Sequence, residues 1–364
     1  MDITNLIFKL KKIDQLLIGL VCLIIIVGVF TVASSEKLAQ SIIMAQLINI
    51  FVGVSSMLLI ILSDPKKIFT LAPLIYLLSL FLLVLVQFFG YEVNGSQRWL
   101  NLGLMKFQPS ELLKVTLPLA LAWFYHINES KISWKTHIVA ILIILIPFML
   151  ILIQPDLGTA LMISFIALSI IFCAGLSIKL IGWGVIILLL SSPFIWNSLE
   201  SYQQSRILTM FDPFSDALGS GYHTIQSMIA LGSGGLIGKG WNNAQQTFLE
   251  FLPEASTDFI FAVFSEEFGF IGVMAILSIY FLFLLRCNFM ISRMQDTFSR
   301  LLSLGLIVSI FMGLIINLGM ISGLLPIVGV PLPFFSYGGT SMVVSLISIG
   351  IIMNLYTNKT LIAN

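Results

Sequence analysis

The chain has 364 residues, of which 58% are hydrophobic and 10% charged, with a formal net charge of +1. Soluble globular domains carry about 25% charged residues, so composition excludes an ordinary soluble globule. The near-zero net charge likewise excludes nucleic-acid binding through bulk electrostatics.

Crossing a bilayer takes roughly 20 apolar residues at about 1.5 Å rise each. Ten segments meet or approach that length, at about 15–34, 40–62, 68–89, 109–127, 138–153, 157–175, 180–199, 258–285, 301–323 and 337–357. The runs are continuously apolar rather than alternating, so helices are the spanning elements. The expected fold class is all-α, a polytopic membrane protein with about ten transmembrane helices and one domain over 1–364. The first segment follows Lys9, Lys11 and Lys12, and Val32-Ala33-Ser34 resembles a cleavage site. With nine later spans, an uncleaved first helix is expected. The fifth segment is short and is parted from the sixth by the turn Gln154-Pro155-Asp156. Cys22, Cys173 and Cys287 lie in or at the end of apolar stretches and are expected to be buried, with no disulfide or metal spacing.

Two substantial loops remain, about 90–108 and 200–257, and long structured loops usually carry function. In the second, Tyr222, Ile225, Met228 and Ile229 have helical spacing. A short helix is predicted there, either lying in the membrane interface or packed on the bundle.

Placing the amino terminus in the cytoplasm puts twelve of the eighteen basic residues in cytoplasmic loops and tails, from Lys9 to Lys359. This is the asymmetry that the positive-inside rule expects. Only Asp2, Asp14, Asp64, Glu129 and Asp296 share that side, so the opposite face receives twelve of the seventeen acids and six bases. Both termini are therefore expected to be cytoplasmic.

Charges within or beside spans mark functional positions by default, since each costs about 2.5–3.5 kcal/mol on insertion. Glu111, Lys114, Asp156, Asp258, Glu266 and Glu267 all occupy the outer half of their helices. Asp258 reads either as a helix-capping carboxylate or as a general base at the lipid–water boundary. Glu111 and Lys114, at i and i+3, read as a neutralising pair, or Lys114 binds an anionic head group. Arg98, beside Trp99, suits either phosphate recognition or an interfacial anchor. Asp156 reads as a cap of the sixth span or as a catalytic group. At least one of Glu266 and Glu267 is expected to pair with another helix. Gly232 to Gly240 has the glycine content of a phosphate loop but lacks its spacing and its preceding strand, and reads as plain loop geometry.

These motifs resemble the SEDS family (shape, elongation, division and sporulation). The matching blocks are Gln97-Arg98-Trp99-Leu100-Asn101-Leu102-Gly103, Gln108-Pro109-Ser110-Glu111-Leu112-Leu113-Lys114 and Gln154-Pro155-Asp156-Leu157-Gly158-Thr159. Further blocks are Gly232 to Gly240, Leu252-Pro253-Glu254 with Thr257-Asp258-Phe259-Ile260-Phe261, Glu266-Glu267, and Pro326 to Phe334 leading to Ser336-Tyr337-Gly338-Gly339. Gly238-Lys239-Gly240-Trp241 and Leu249 to Glu254 are more similar to the elongation branch than to the division branch.

The resemblance implies a glycosyltransferase of the bacterial inner membrane that polymerises lipid II into β-1,4 glycan strands, with Asp258 as the essential aspartate. It places Arg98, Glu111, Lys114, Asp156, Lys239 and Glu254 as substrate-binding candidates. It further implies a divalent cation, magnesium or manganese, with unassigned ligands, and a class B penicillin-binding protein as partner. A carboxylate of ordinary pKa, near 4, is a weak base, so its effect is expected to come from position. A lipid II flippase is the rival class, and the scarcity of charge in the inner helix halves counts against it.

Overall fold

Helices form where the apolar runs place them. The structure, a computed structural model, describes residues 13–358 except 94–95, 102–105, 218, 220, 250 and 253. Asp2, Lys9, Lys11, Lys12 and Lys359 of the charge count, and Leu102, Gly103 and Pro253 of the blocks, lie outside the described residues.

The described helices are α1 (Gln15–Ser35), α2 (Gln40–Leu62), α3 (Pro65–Phe89), α4 (Pro109–Ile127), α5 (Trp134–Ile153), α6 (Leu157–Cys173) and α7 (Ile178–Ser198). After them come α8 (Ser201–Phe211), α9 (Tyr222–Ser233), α10 (Gln245–Phe248), α11 (Ile260–Ser292), α12 (Thr297–Ile321) and α13 (Gly339–Thr357). Ten of these coincide with the ten expected segments. Seven are long and apolar enough to cross a membrane: α1, α2, α3, α5, α11, α12 and α13. Helix α6 is apolar but shorter, and α4 carries Glu111 and Lys114 in its first two turns. The chain is a polytopic all-α membrane protein.

Acidic caps fix several helix starts, each accepting from an amide that the helix cannot pair itself. Asp14 accepts from Leu17 N at 2.9 Å, Asp64 from Lys66 N at 3.0 Å, and Asp296 from Ser299 N at 2.7 Å. Asp14 is also ion-paired with Arg286.

Helix α4 is the centre of the bundle, packing against α3, α5, α6, α12 and α13. Helix α2 lies along α13, and α1 along α11. Gly305 lets α12 approach closely, since a Cβ there would sit 2.5 Å from Ile170 Cδ1 and 2.9 Å from Pro118 Cβ. Helix α7 makes no substantial packing contact among the described residues, and Trp183, Leu190 and Phe194 on it are exposed. Phe51, Leu59, Phe81 and Phe88 form part of the same outward apolar surface, which suits lipid.

Three expectations are refined. The loop at 90–108 contains a small antiparallel sheet, β1 (Tyr91–Val93), β2 (Ser96–Asn101) and β3 (Lys106–Phe107), with Tyr91 opposite Trp99 and Leu100 opposite Phe107. Helix α9 packs on α11 and α12, taking the bundle-packed alternative. Cys287 is buried as expected, but Cys22 and Cys173 are exposed. A helix that is apolar all round gives no sequence signal for which face turns inward.

Candidate active site

Helix α11 begins at Ile260, with Phe259 as its N-cap and no side-chain cap bond. Asp258 therefore does not cap the helix, and its carboxylate stays available at the head of the bundle. The turn before it is fixed by the Glu254 carbonyl, which accepts from Thr257 N and Phe259 N, both at 3.2 Å. Tyr337 N donates to Ser256 O at 2.9 Å and ties the turn to the chain ahead of α13.

Three ionisable groups act on one another around Asp258. Burial first, then repulsion from the Glu254 carboxylate, pushes its pKa from 3.8 up to about 7, against the opposing effect of the Arg206 cation. The residue is half-buried and precedes the spanning helix. An ordinary weak base was expected; partial desolvation makes a stronger one. His223 on α9 stacks on the neighbouring Phe259 at 6.2 Å, and burial and Arg206 hold its pKa below the usual imidazole range.

The Pro326–Phe334 segment passes beside this group. It is irregular backbone inside a membrane bundle, which is stable only where its polar groups find partners. Prolines at 326, 331 and 333 remove three donors. Its carbonyls accept from side chains: Ile327 O from Arg206 Nη1 at 2.9 Å, Val330 O from Asn317 Nδ2 at 2.9 Å, and Pro333 O from the Tyr280 hydroxyl at 2.6 Å. Val328 fills the space over Gly158, where a Cβ would come within 2.6 Å. Gly329, at φ 72°, lies against the base, since a Cβ there would be 3.3 Å from Asp258 Oδ2.

Pro331 and Pro333 also line a cavity of about 20 Å³ with Glu111, Lys114, Ser309, Ser341 and Ser345. That volume holds roughly one water. Glu111 and Lys114 are ion-paired and both buried. Glu111 Oε2 and the Ser110 hydroxyl have no hydrogen-bond partner among the described residues.

Arg98 and Asp156 form a separate group. Arg98 Nε donates to Gln154 O at 3.0 Å, another guanidinium nitrogen donates to Pro155 O, and Nη1 lies 3.5 Å from Asp156 Oδ2. Asp156 caps α6, accepting from Thr159 N at 3.1 Å and Thr159 Oγ1 at 2.9 Å. Both side chains thus hold the α5–α6 turn.

Lys239 is 2.6 Å from the fully buried Glu266, which also accepts from Gln245 N at 3.0 Å. Glu267 accepts from Asn242 N at 2.9 Å and from the Ser34 hydroxyl of α1, the expected pairing with another helix. The glycine stretch closes on a break in α11 at Gly269, with Phe270 N donating to Gly235 O at 2.9 Å and Lys239 N to Glu266 O at 3.0 Å. Gly269 has φ 64°, and a Cβ on it would meet Gly238 N at 2.3 Å. The glycines serve this close approach of backbones.

The sequence candidates fall into four groups: Asp258 with Glu254, Glu111 with Lys114, Arg98 with Asp156, and Lys239 with Glu266. Asp258 and Arg98 do not line the Glu111–Lys114 cavity. Residues 328–333 link the first three groups, touching Gly158, Asp258 and the cavity in turn. Sequence reasoning gave no role to Arg206 or His223. Their signal was scarcity: Arg206 is one of six bases on its face, and His223 is the sole histidine of the long loop. Among the described residues no three His, Cys, Asp or Glu side chains cluster to hold a metal ion.

The family of cell cycle proteins FtsW, RodA and SpoVE matches residues 8–361. The chain is 44% identical over 293 residues to the peptidoglycan glycosyltransferase MrdB of Escherichia coli, covering 80% of this chain and 79% of that one. It is 35% identical over 360 residues to the stage V sporulation protein E of Bacillus subtilis, covering 94% and 96%. Its fold matches a solved chain from work on polymerization and crosslinking by a peptidoglycan synthase complex, with TM-score 0.83, 30% identity and coverage of 96% and 98%. It also matches the crystal structure of Thermus thermophilus RodA, with TM-score 0.73, 28% identity and the same coverage.

Proposed function

The chain belongs to the FtsW, RodA and SpoVE family of cell cycle proteins, and from that premise we propose that Asp258 is the general base with which it joins lipid II units into glycan. It is a peptidoglycan glycosyltransferase. Lipid II, a disaccharide-pentapeptide on undecaprenyl pyrophosphate, carries an α-linked pyrophosphate, whereas the glycan bond is β-1,4. A single displacement with inversion satisfies both.

Asp258 takes the proton from the 4-hydroxyl of the acceptor N-acetylglucosamine as that oxygen forms a bond to the anomeric carbon of the donor N-acetylmuramic acid. The bond from that carbon to the pyrophosphate oxygen breaks, and undecaprenyl pyrophosphate leaves with the electron pair. The observation that carries this reading is the Asp258 carboxylate itself. It is free of capping, and its pKa is pushed to about 7 by burial and by Glu254. A base whose pKa lies near the working pH combines availability with proton affinity. Glu111 and Lys114 are the candidate pair nearest the irregular segment for polar parts of the lipid head group, while Arg98 and Asp156 hold the α5–α6 turn and Lys239 pairs with Glu266. No step is assigned to a divalent cation.

The charge asymmetry of the loops supports an orientation with both termini in the cytoplasm and Asp258 facing the exterior of the bacterial inner membrane. A class B penicillin-binding protein is the proposed partner, cross-linking the strands that the chain makes during cell elongation. The test is polymerisation of lipid II by purified Asp258→Asn. Loss of polymer from a folded variant is expected, and wild-type rates would overturn the assignment.

A further inference from the structure

We infer that Asn317 is a positioning residue that holds Asp258 against the Pro326–Phe334 segment. Asn317 lies in the last turns of α12 and is fully buried. Its Nδ2 donates twice, to Asp258 O at 2.8 Å and to Val330 O at 2.9 Å. Both partners are carbonyls, which only accept, so the amide has one possible orientation. Its Oδ1 is then directed into the protein and has no hydrogen-bond partner among the described residues. A buried acceptor left this way is costly and calls for an explanation.

The explanation lies in what the two bonds join. Ala262 N donates to Phe259 O at 2.9 Å, so the ladder at the start of α11 closes on Phe259. Asn317 supplies a donor for the Asp258 carbonyl that lies just ahead of it. Its second bond holds Val330, next to Gly329, whose position against Asp258 Oδ2 forms the floor of the carboxylate. One amide therefore fixes the base and the surface on which it rests, from a third element. No group of Asn317 needs to touch substrate.

The inference rests on the reading of Asp258 as the base. The experiment measures lipid II polymerisation by purified Asn317→Leu and Asn317→Asp between about pH 6 and 9, with folding followed by size exclusion and thermal melting. A positioning role predicts that kcat falls at least about tenfold and that the acid limb of the pH–rate profile moves, while KM stays within about threefold. Loss of fold alone would lower the active fraction and leave the acid limb in place. Asn317→Gln keeps the amide on a longer stem, and provides the same measurement if the other two do not fold. Any folded variant of the three with wild-type kcat and an unmoved acid limb overturns the inference. Asp258→Asn, assayed alongside, separates the two readings. If that variant is active, the base assignment falls; if it is inactive while Asn317→Leu matches wild type, only the role of Asn317 falls.

Discussion

Replacing Asp258 with asparagine should abolish polymerisation and at the same time make the protein more stable at alkaline pH. The carboxyl pKa rises from 3.8 to about 7 in the fold. Because the folded-state value lies above the unfolded one, the fold favours the neutral acid. That preference is fully present below about pH 4 and is lost as pH rises through about 7. At about 1.4 kcal/mol per pH unit, ionising Asp258 costs the fold at most about 4 kcal/mol, and water reaching the half-buried group reduces this to roughly 2–4 kcal/mol. Asparagine has nearly the same shape and cannot ionise. Thermal unfolding in detergent at about pH 8.5 should therefore show the variant melting several degrees above wild type, with the gap shrinking as pH falls below about 6. Activity, read as polymer formed from lipid II, should drop by about 10²–10⁴. A variant that melts below wild type at pH 8.5, or a gap that does not change with pH, would refute the reasoning about desolvation. Retained activity would refute the assignment of the base.

The neighbours of Asp258 should tune its titration in opposite directions. Glu254→Gln removes a repelling carboxylate, so the acid limb of the pH–rate profile should move to lower pH; Arg206→Ala removes an opposing cation, so the limb should move to higher pH. Both are read from kcat/KM against pH. Lys239→Ala leaves the fully buried Glu266 without its cation and should destabilise the protein by about 3–5 kcal/mol, with partial recovery in the double variant with Glu266→Gln, measured by thermal melting. Gly269→Ala forces a Cβ into Gly238 at a positive φ, so the yield of folded protein should collapse, whereas Gly232→Ala, which meets nothing within 4 Å, should express and polymerise normally.

The helices were legible because continuous apolar runs of bilayer length leave one backbone solution. Asp156 marked a helix start by its position before an apolar run. The small sheet at 91–107 was missed because its short strands carry too few residues to show alternation. The face of each helix was also hidden, as Cys22 and Cys173 show, because lipid and bundle interior are equally apolar. Within the site, Asp258 was legible as a charge at a membrane edge, but its environment was not. Glu254 and Arg206 reach it through a turn and through the separate helix α8, and Asn317 lies 59 positions along the chain. Lys114 read first as half of a neutralising pair and second as a ligand, and the geometry shows Glu111 paired with it beside a cavity.

The ion pairs at the Asp258 end of the bundle change how the protein looks from a distance. Glu111, Asp156 and Glu266 each lie within 3.5 Å of a cation. Opposite charges this close form dipoles, whose field fades faster than that of a lone charge and is screened beyond about 8 Å at physiological ionic strength. These three acids thus repel an anionic lipid diffusing in the membrane plane much less than three unpaired carboxylates would. At these three pairs, short-range shape and hydrogen bonding therefore weigh more than net charge in which lipids are accepted.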